Sequence, residues 1–106
     1  RPSLYRAWQK VLPVTEAKAD TATELWDLVG PVCETGDFLA KDRELALDED
    51  DYLALMSSGA YGFTMSSNYN SRGRAIEIMV DGHESHMIRQ RETIADLIRG
   101  ENLLPK

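Results

Sequence analysis

The sequence predicts a mainly β fold, a Greek-key-like β-sandwich or partly open barrel with one short C-terminal helix, and three observations predict it. Short apolar runs of strand length recur between turn-forming residues, as in Thr21 to Val29 and Tyr52 to Met56. Asp81-Gly82 separates the alternating Ile76, Ile78 and Val80 from a return run through Met87 and Ile88, which signals a hairpin. Helical spacing appears at Ile94, Leu97 and Ile98, with Arg99 in the last turn and Gly100 as the stop.

From Tyr5 to Val14 apolar residues lack helical spacing and Pro13 removes a backbone donor, so an extended or edge segment is expected. Thr15 to Asp20 is a polar connection. In Thr21 to Val29, Leu25, Trp26, Leu28 and Val29 fall on both parities, which suits a strand covered on both faces. Asp37 to Leu47 has apolar ends around Lys41-Asp42-Arg43-Glu44 and reads as a bent strand or hairpin. The acidic run Asp48 to Asp51 is a solvated turn leading into Tyr52 to Met56, a short strand expected to be buried. Tyr61 to Asn70, rich in Ser, Asn and Gly, fits a short helical turn or packed loop.

The 106 residues fit one domain with a modest core. The formal charge of −6 and scattered basic residues argue against nucleic-acid binding. The one cysteine excludes an internal disulfide framework and points to a reduced, cytoplasmic setting. No run has the length of a membrane span and no signal peptide is visible. The opening Arg1-Pro2, with neither methionine nor linker, is expected to be the cut edge of a longer protein.

Chemistry is expected at Gly30-Pro31-Val32-Cys33-Glu34-Thr35-Gly36-Asp37, where the cysteine stands beside a carboxylate on a turn that begins Gly-Pro and closes Gly-Asp. A lone cysteine is most often a small buried hydrophobe, but a thiol on a polar, glycine-bounded turn is poorly placed for core filling. A thiol is mostly protonated at neutral pH, so it can give a proton as readily as it can attack. His83 and His86, on the hairpin, have an exposed polar role as their default, and with Cys33 they match no structural zinc spacing. Tyr61, between Ala60 and Gly62, either donates its phenol to a phosphate or packs beneath a turn. Arg1 and Tyr5 have the chemistry to hold a carboxylate together, a guanidinium fork plus a phenol.

Four stretches occur in an order that resembles one family. They are Arg1-Pro2-Ser3-Leu4-Tyr5; Cys33-Glu34-Thr35-Gly36-Asp37; Gly59-Ala60-Tyr61-Gly62 with Met65 to Asn70; and Arg89-Gln90-Arg91-Glu92-Thr93. Together they resemble the C-terminal domain of the diaminopimelate decarboxylase family, pyridoxal-phosphate enzymes of the alanine-racemase and ornithine-decarboxylase fold type. Gly73, where that family often has proline, and Asp50-Asp51, in place of a usual Gly-Asp, depart from the pattern away from the motifs.

The resemblance implies a two-domain enzyme in which residues 1–106 form a single C-terminal β domain. An N-terminal β/α barrel, absent from this chain, would carry the Schiff-base lysine and most of the pyridoxal 5'-phosphate site. It further implies conversion of meso-2,6-diaminopimelate to L-lysine and carbon dioxide by a homodimer with active sites shared across the interface. On that footing Cys33 is the proton donor, acting in the partner's site, and Glu34 binds the substrate's distal amino group. Arg1 and Tyr5 bind its carboxylate, and Tyr61 touches both cofactor phosphate and substrate. Related ornithine decarboxylases usually have Asp after the cysteine, so Glu34 favours diaminopimelate. Two other readings compete: a non-catalytic decarboxylase-like domain that pairs with a related enzyme, and an unrelated β interaction module.

Overall fold

The computed structural model describes residues 2–105. The contacts gather into two compact units that divide between Ala60 and Tyr61. The expected β character is present: six strands form three antiparallel pairs, and none of these sheets closes into a barrel among the described residues.

In the first unit a single helical turn, α1 (Pro2–Tyr5), precedes the strands β1 (Val11–Pro13), β2 (Thr23–Val29), β3 (Phe38–Ala46) and β4 (Leu53–Leu55). The helical turn is absent from the sequence reading. Pro2 suits the first helical position, where no amide is needed. β1 pairs with β4 in the register Val11↔Leu55 and Pro13↔Leu53, and Pro13 tolerates this place because the sheet has only two strands. β2 and β3 pair from Thr23↔Ala46 to Val29↔Phe38, with a register shift after Trp26. There Asp42 adopts a left-handed φ of 54° and its amide donates to Asp27 Oδ1 at 2.9 Å, so the bend expected in β3 is a bulge held from the facing strand.

Coverage departs from expectation. Val11 and Ala40 are the buried apolar residues among those described, so the core is thin. β2 is covered on one face rather than two: Trp26 and Leu28 are half-buried, while Leu25 and Val29 point outward. Trp26 Nε1 donates to Leu45 O at 3.1 Å, which fixes the ring. β4 is half-buried rather than buried, and its expected ends Tyr52 and Met56 are exposed. Apolar residues on both parities can be sealed only by a layer on each side, and the described unit supplies one. The acidic turn is as read: the Asp48 amide donates to Asp51 Oδ2 at 2.8 Å, and Lys18 pairs with Asp48 at 2.7 Å.

The helical turn α2 (Gly59–Gly62) leads into the second unit, where a 3₁₀ turn at Tyr69–Ser71 precedes the hairpin strands β5 (Glu77–Asp81) and β6 (Glu84–Arg89). Gly82 turns the hairpin with φ 59°. Both hairpin faces are wet, with Ile78, Met79, Val80, Met87 and Ile88 all exposed. The terminal helix α3 (Ile94–Leu97) starts at Thr93, whose amide and hydroxyl both donate to Asp96 Oδ2 at 2.8 Å.

Candidate functional site

The loop from Gly30 to Asp37 joins β2 to β3, and Asp37 closes it. The Gly30 amide donates to Asp37 O at 2.8 Å, and the Val32 amide donates to Asp37 Oδ2 at 2.7 Å. A Cβ at Gly30 would overlap the Asp37 carboxylate, so glycine is required by a close approach. Within the loop the Glu34 amide donates to Val32 O at 2.8 Å, which puts Cys33 at the apex of a three-residue turn. The Asp37 amide returns to Glu34 O at 3.1 Å. The thiol is exposed, as its polar surroundings predict, and Glu34 beside it is exposed too.

Glu34 Oε1 lies 2.8 Å from the place a Cβ would take on Gly36, and Ser3 Oγ lies 3.5 Å from the same point. α1 and the residues just after it thus meet the cysteine loop in a cleft of about 530 Å³. Ser3 and Arg6, Thr35 and Gly36 of the loop, and Lys41 and Arg43 of β3 are among its lining residues. The Arg43 guanidinium stands 4.4 Å from the Trp8 ring centre, and Lys41 Nζ stands 4.6 Å from that of Phe38. Three cations therefore converge on one cleft of a chain whose net charge is −6.

Cys33 and Glu34 share one stapled loop, and Tyr5, 67 % exposed, sits on the helical turn that precedes the cleft. Arg1 lies outside the described residues. Tyr61 belongs to the second unit, where it is 67 % exposed and its carbonyl accepts the Met65 amide at 3.0 Å. A Cβ at Gly59 or Gly62 would meet nothing within 4 Å, so the phenol stands on a turn with open space at both flanking glycines. One exposed phenol in open space fits a phosphate oxygen and supplies it a single donor. His83 and His86 are exposed, and His86 lies 3.5 Å from Glu84.

Sequence reasoning missed Asp37 as the loop's clamp, along with Arg6, Lys41 and Arg43 as cleft residues. For Asp37 the signal was present, an aspartate seven residues after the glycine of a Gly-Pro pair; for the cations it was not, since Lys41 and Arg43 read as a polar strand centre. Among the described residues no group of three His, Cys, Asp or Glu side chains is placed to hold a metal, and no helix is long and apolar enough to cross a membrane.

The β2–β3 hairpin, with its cysteine–glutamate pair on a clamped turn, lies inside the stretch that defines the class of this chain. Residues 1–59 match the family model described as pyridoxal-dependent decarboxylase, C-terminal sheet domain, and the chain belongs to that family. Over 106 residues it is 60 % identical to the diaminopimelate decarboxylase of Pseudomonas aeruginosa and 56 % identical to that of Vibrio cholerae, spanning 25 % of each relative's length. A crystal structure of diaminopimelate decarboxylase from M. jannaschii superposes with a TM-score of 0.87 at 37 % identity, covering 99 % of this chain and 24 % of that one. The Helicobacter pylori enzyme, complexed with L-lysine, superposes at 0.81 and 39 % identity over 93 % of this chain and 24 % of its own. The chain thus spans about a quarter of the relatives it matches.

Proposed function

We propose that this chain is the C-terminal sheet domain of a cytoplasmic, pyridoxal-phosphate-dependent diaminopimelate decarboxylase, which converts meso-2,6-diaminopimelate to L-lysine and carbon dioxide. The observation that carries the reading is the exposed Cys33–Glu34 pair at the apex of the loop clamped by Asp37, in a chain 60 % identical to a protein of that name. Pyridoxal phosphate, when bound, supplies an electron sink for the bond to the departing carboxylate.

The chain's own residues then have three tasks. Cys33 Sγ–H delivers a proton to the carbon that has lost its carboxylate, and the tight turn holds that donor at a fixed place. Diaminopimelate ends in both an ammonium and a carboxylate, so its far end needs an anion and a cation. Glu34 pairs with the ammonium, while Arg1 and Tyr5 take the carboxylate. Tyr61 donates to the cofactor phosphate and lies against the substrate. Cys33 serves the site of the partner subunit in a homodimer, and the remainder of the enzyme supplies the lysine and the rest of the cofactor site.

The test is the full-length enzyme with meso-diaminopimelate. Equal amounts of carbon dioxide and lysine are expected, and Cys33→Ala should lower turnover about a hundred- to ten-thousandfold with little effect on substrate binding. Preference for ornithine or lysine as substrate, or full turnover by Cys33→Ala, overturns the reading.

A further inference from the structure

We propose that Glu92 is a positioning residue for Tyr61, acting through Asn68, Arg74 and Phe63; the functional part of this rests on the role of Tyr61 given above. Glu92 Oε2 accepts from Asn68 Nδ2 at 2.6 Å and from the Arg74 amide at 2.8 Å, while Oε1 faces Arg74 Nη1 at 3.6 Å. The Glu92 amide returns a hydrogen bond to Arg74 O at 3.1 Å. One carboxylate therefore ties the segment after Tyr61 to the strand end of β6 from both sides. These donors, the Arg74 amide first and Asn68 second, hold its carboxyl below the usual glutamate range, so it is ionised throughout the neutral region.

The link to Tyr61 runs through a ring. Arg74 is half-buried, and its Nε is out of water with no acceptor, which makes Glu92 the counter-charge that keeps the guanidinium in place. Held there, Arg74 lies 5.4 Å from the Phe63 ring centre, and Arg89 lies 3.9 Å from it, itself paired with Glu77. Phe63 is half-buried and its carbonyl accepts the Ser66 amide at 2.9 Å, one bond along from the Met65 amide on Tyr61 O. The turn is thus pinned by the Phe63 ring while the Tyr61 ring is exposed. Without the carboxylate, Arg74 gains by turning to solvent, Phe63 loses a cation from its face, and the turn bearing Tyr61 loosens.

The test uses Glu92→Gln in the full-length protein, with Asn68→Ala as the milder variant that carries the test if the first does not fold. Amide exchange at Met65 and Ser66 should quicken about three- to tenfold, the equivalent of one net hydrogen bond. Pyridoxal-phosphate affinity, measured by dialysis of the apo enzyme, should fall by a similar factor in the wild-type background and not at all in a Tyr61→Phe background. Unchanged exchange at Met65 and Ser66 overturns the proposal, as does a loss of cofactor affinity that persists undiminished with Tyr61→Phe. If exchange quickens and cofactor affinity does not move, Glu92 positions the turn as stated and the ligand role of Tyr61 is what fails.

Discussion

The Asp37 carboxylate accepts the Val32 amide proton at 2.7 Å while occupying the space that a side chain on Gly30 would need. One group therefore does two things: it closes the loop and forbids any larger residue at its start. Asp37→Ala should destabilise the first unit by about 1–3 kcal/mol, because the Val32 amide loses a charge-assisted acceptor. Gly30→Ala should cost about the same through overlap. In an Asp37→Ala background, however, the Gly30→Ala cost should fall below about 1 kcal/mol, since the atoms it strikes are gone. Urea denaturation of the four proteins measures the cycle; additive costs would show that the overlap is relieved elsewhere.

Glu34→Gln keeps the shape of the side chain and discards its charge. If Glu34 pairs with the distal ammonium of diaminopimelate, KM in the full-length enzyme should rise about ten- to a hundredfold while the turnover number changes far less. Steady-state kinetics with saturating cofactor separates the two. A fall in turnover at constant KM would assign Glu34 to the chemical step instead.

Subunits carrying Cys33→Ala, mixed with subunits lacking the cofactor-binding lysine proposed for the rest of the enzyme, test the assignment in trans. Random pairing makes half of the dimers mixed, each with one intact site, so activity should recover to about a quarter of the wild-type level. Mixed dimers that stay inactive, although both parents dimerise, would place Cys33 in its own subunit's site.

The second unit should respond to acid through Asp96 and Glu92. The Asp96 carboxyl is held below the usual aspartate range by the Thr93 amide first and the Thr93 hydroxyl second, with Arg99 adding to it. A depressed folded pKa stabilises above the ordinary value of the unfolded chain, about 3.9 for Asp and 4.3 for Glu, and that stability is lost as pH falls through the folded value. Protection of the Ile98 amide, which donates to Ile94 O at 3.3 Å, should be flat from neutral pH down to the unfolded values and decline below them. Asp96→Asn should remove most of this dependence.

What the sequence revealed depended on how locally each feature is determined. The loop around Cys33 and the Asp81-Gly82 hairpin were legible because Gly, Pro and Asp at fixed offsets dictate turns without help from distant residues. The stop of α3 was legible only to within a turn: the helix ends at Leu97 with Ile98 as its cap, so Arg99 falls beyond it and Gly100, with a φ of 92°, turns the chain three residues after Leu97. Coverage of β2 and β4 was not, because apolar residues on both parities report what a strand could bury and not which layers lie against it. The Glu92 ties were hidden for a different reason: Asn68 and Arg74 stand far from it in the chain, and nothing local distinguishes a carboxylate that bridges from one that is solvated. Of the proposed site, the thiol and carboxylate could be read from their turn, whereas the cationic cleft emerged only when the bulge in β3 set Lys41 and Arg43 beside Trp8 and Phe38.

The β1–β4 pair encloses the whole β2–β3 hairpin between its two strands in the chain. Folding of the first unit therefore has a built-in chronology. β2 and β3 are joined by the short clamped loop and can find one another on the microsecond scale of hairpins, of order 1–10 μs. Val11 and Leu55 meet only by closing a much longer loop, whose entropic cost falls by about 0.6 kcal/mol for each halving of its effective length and so is lower once the hairpin inside it has formed. The turn that carries Cys33 is thus among the earliest parts of this unit to acquire its shape, and the strand pair that frames it is the later event.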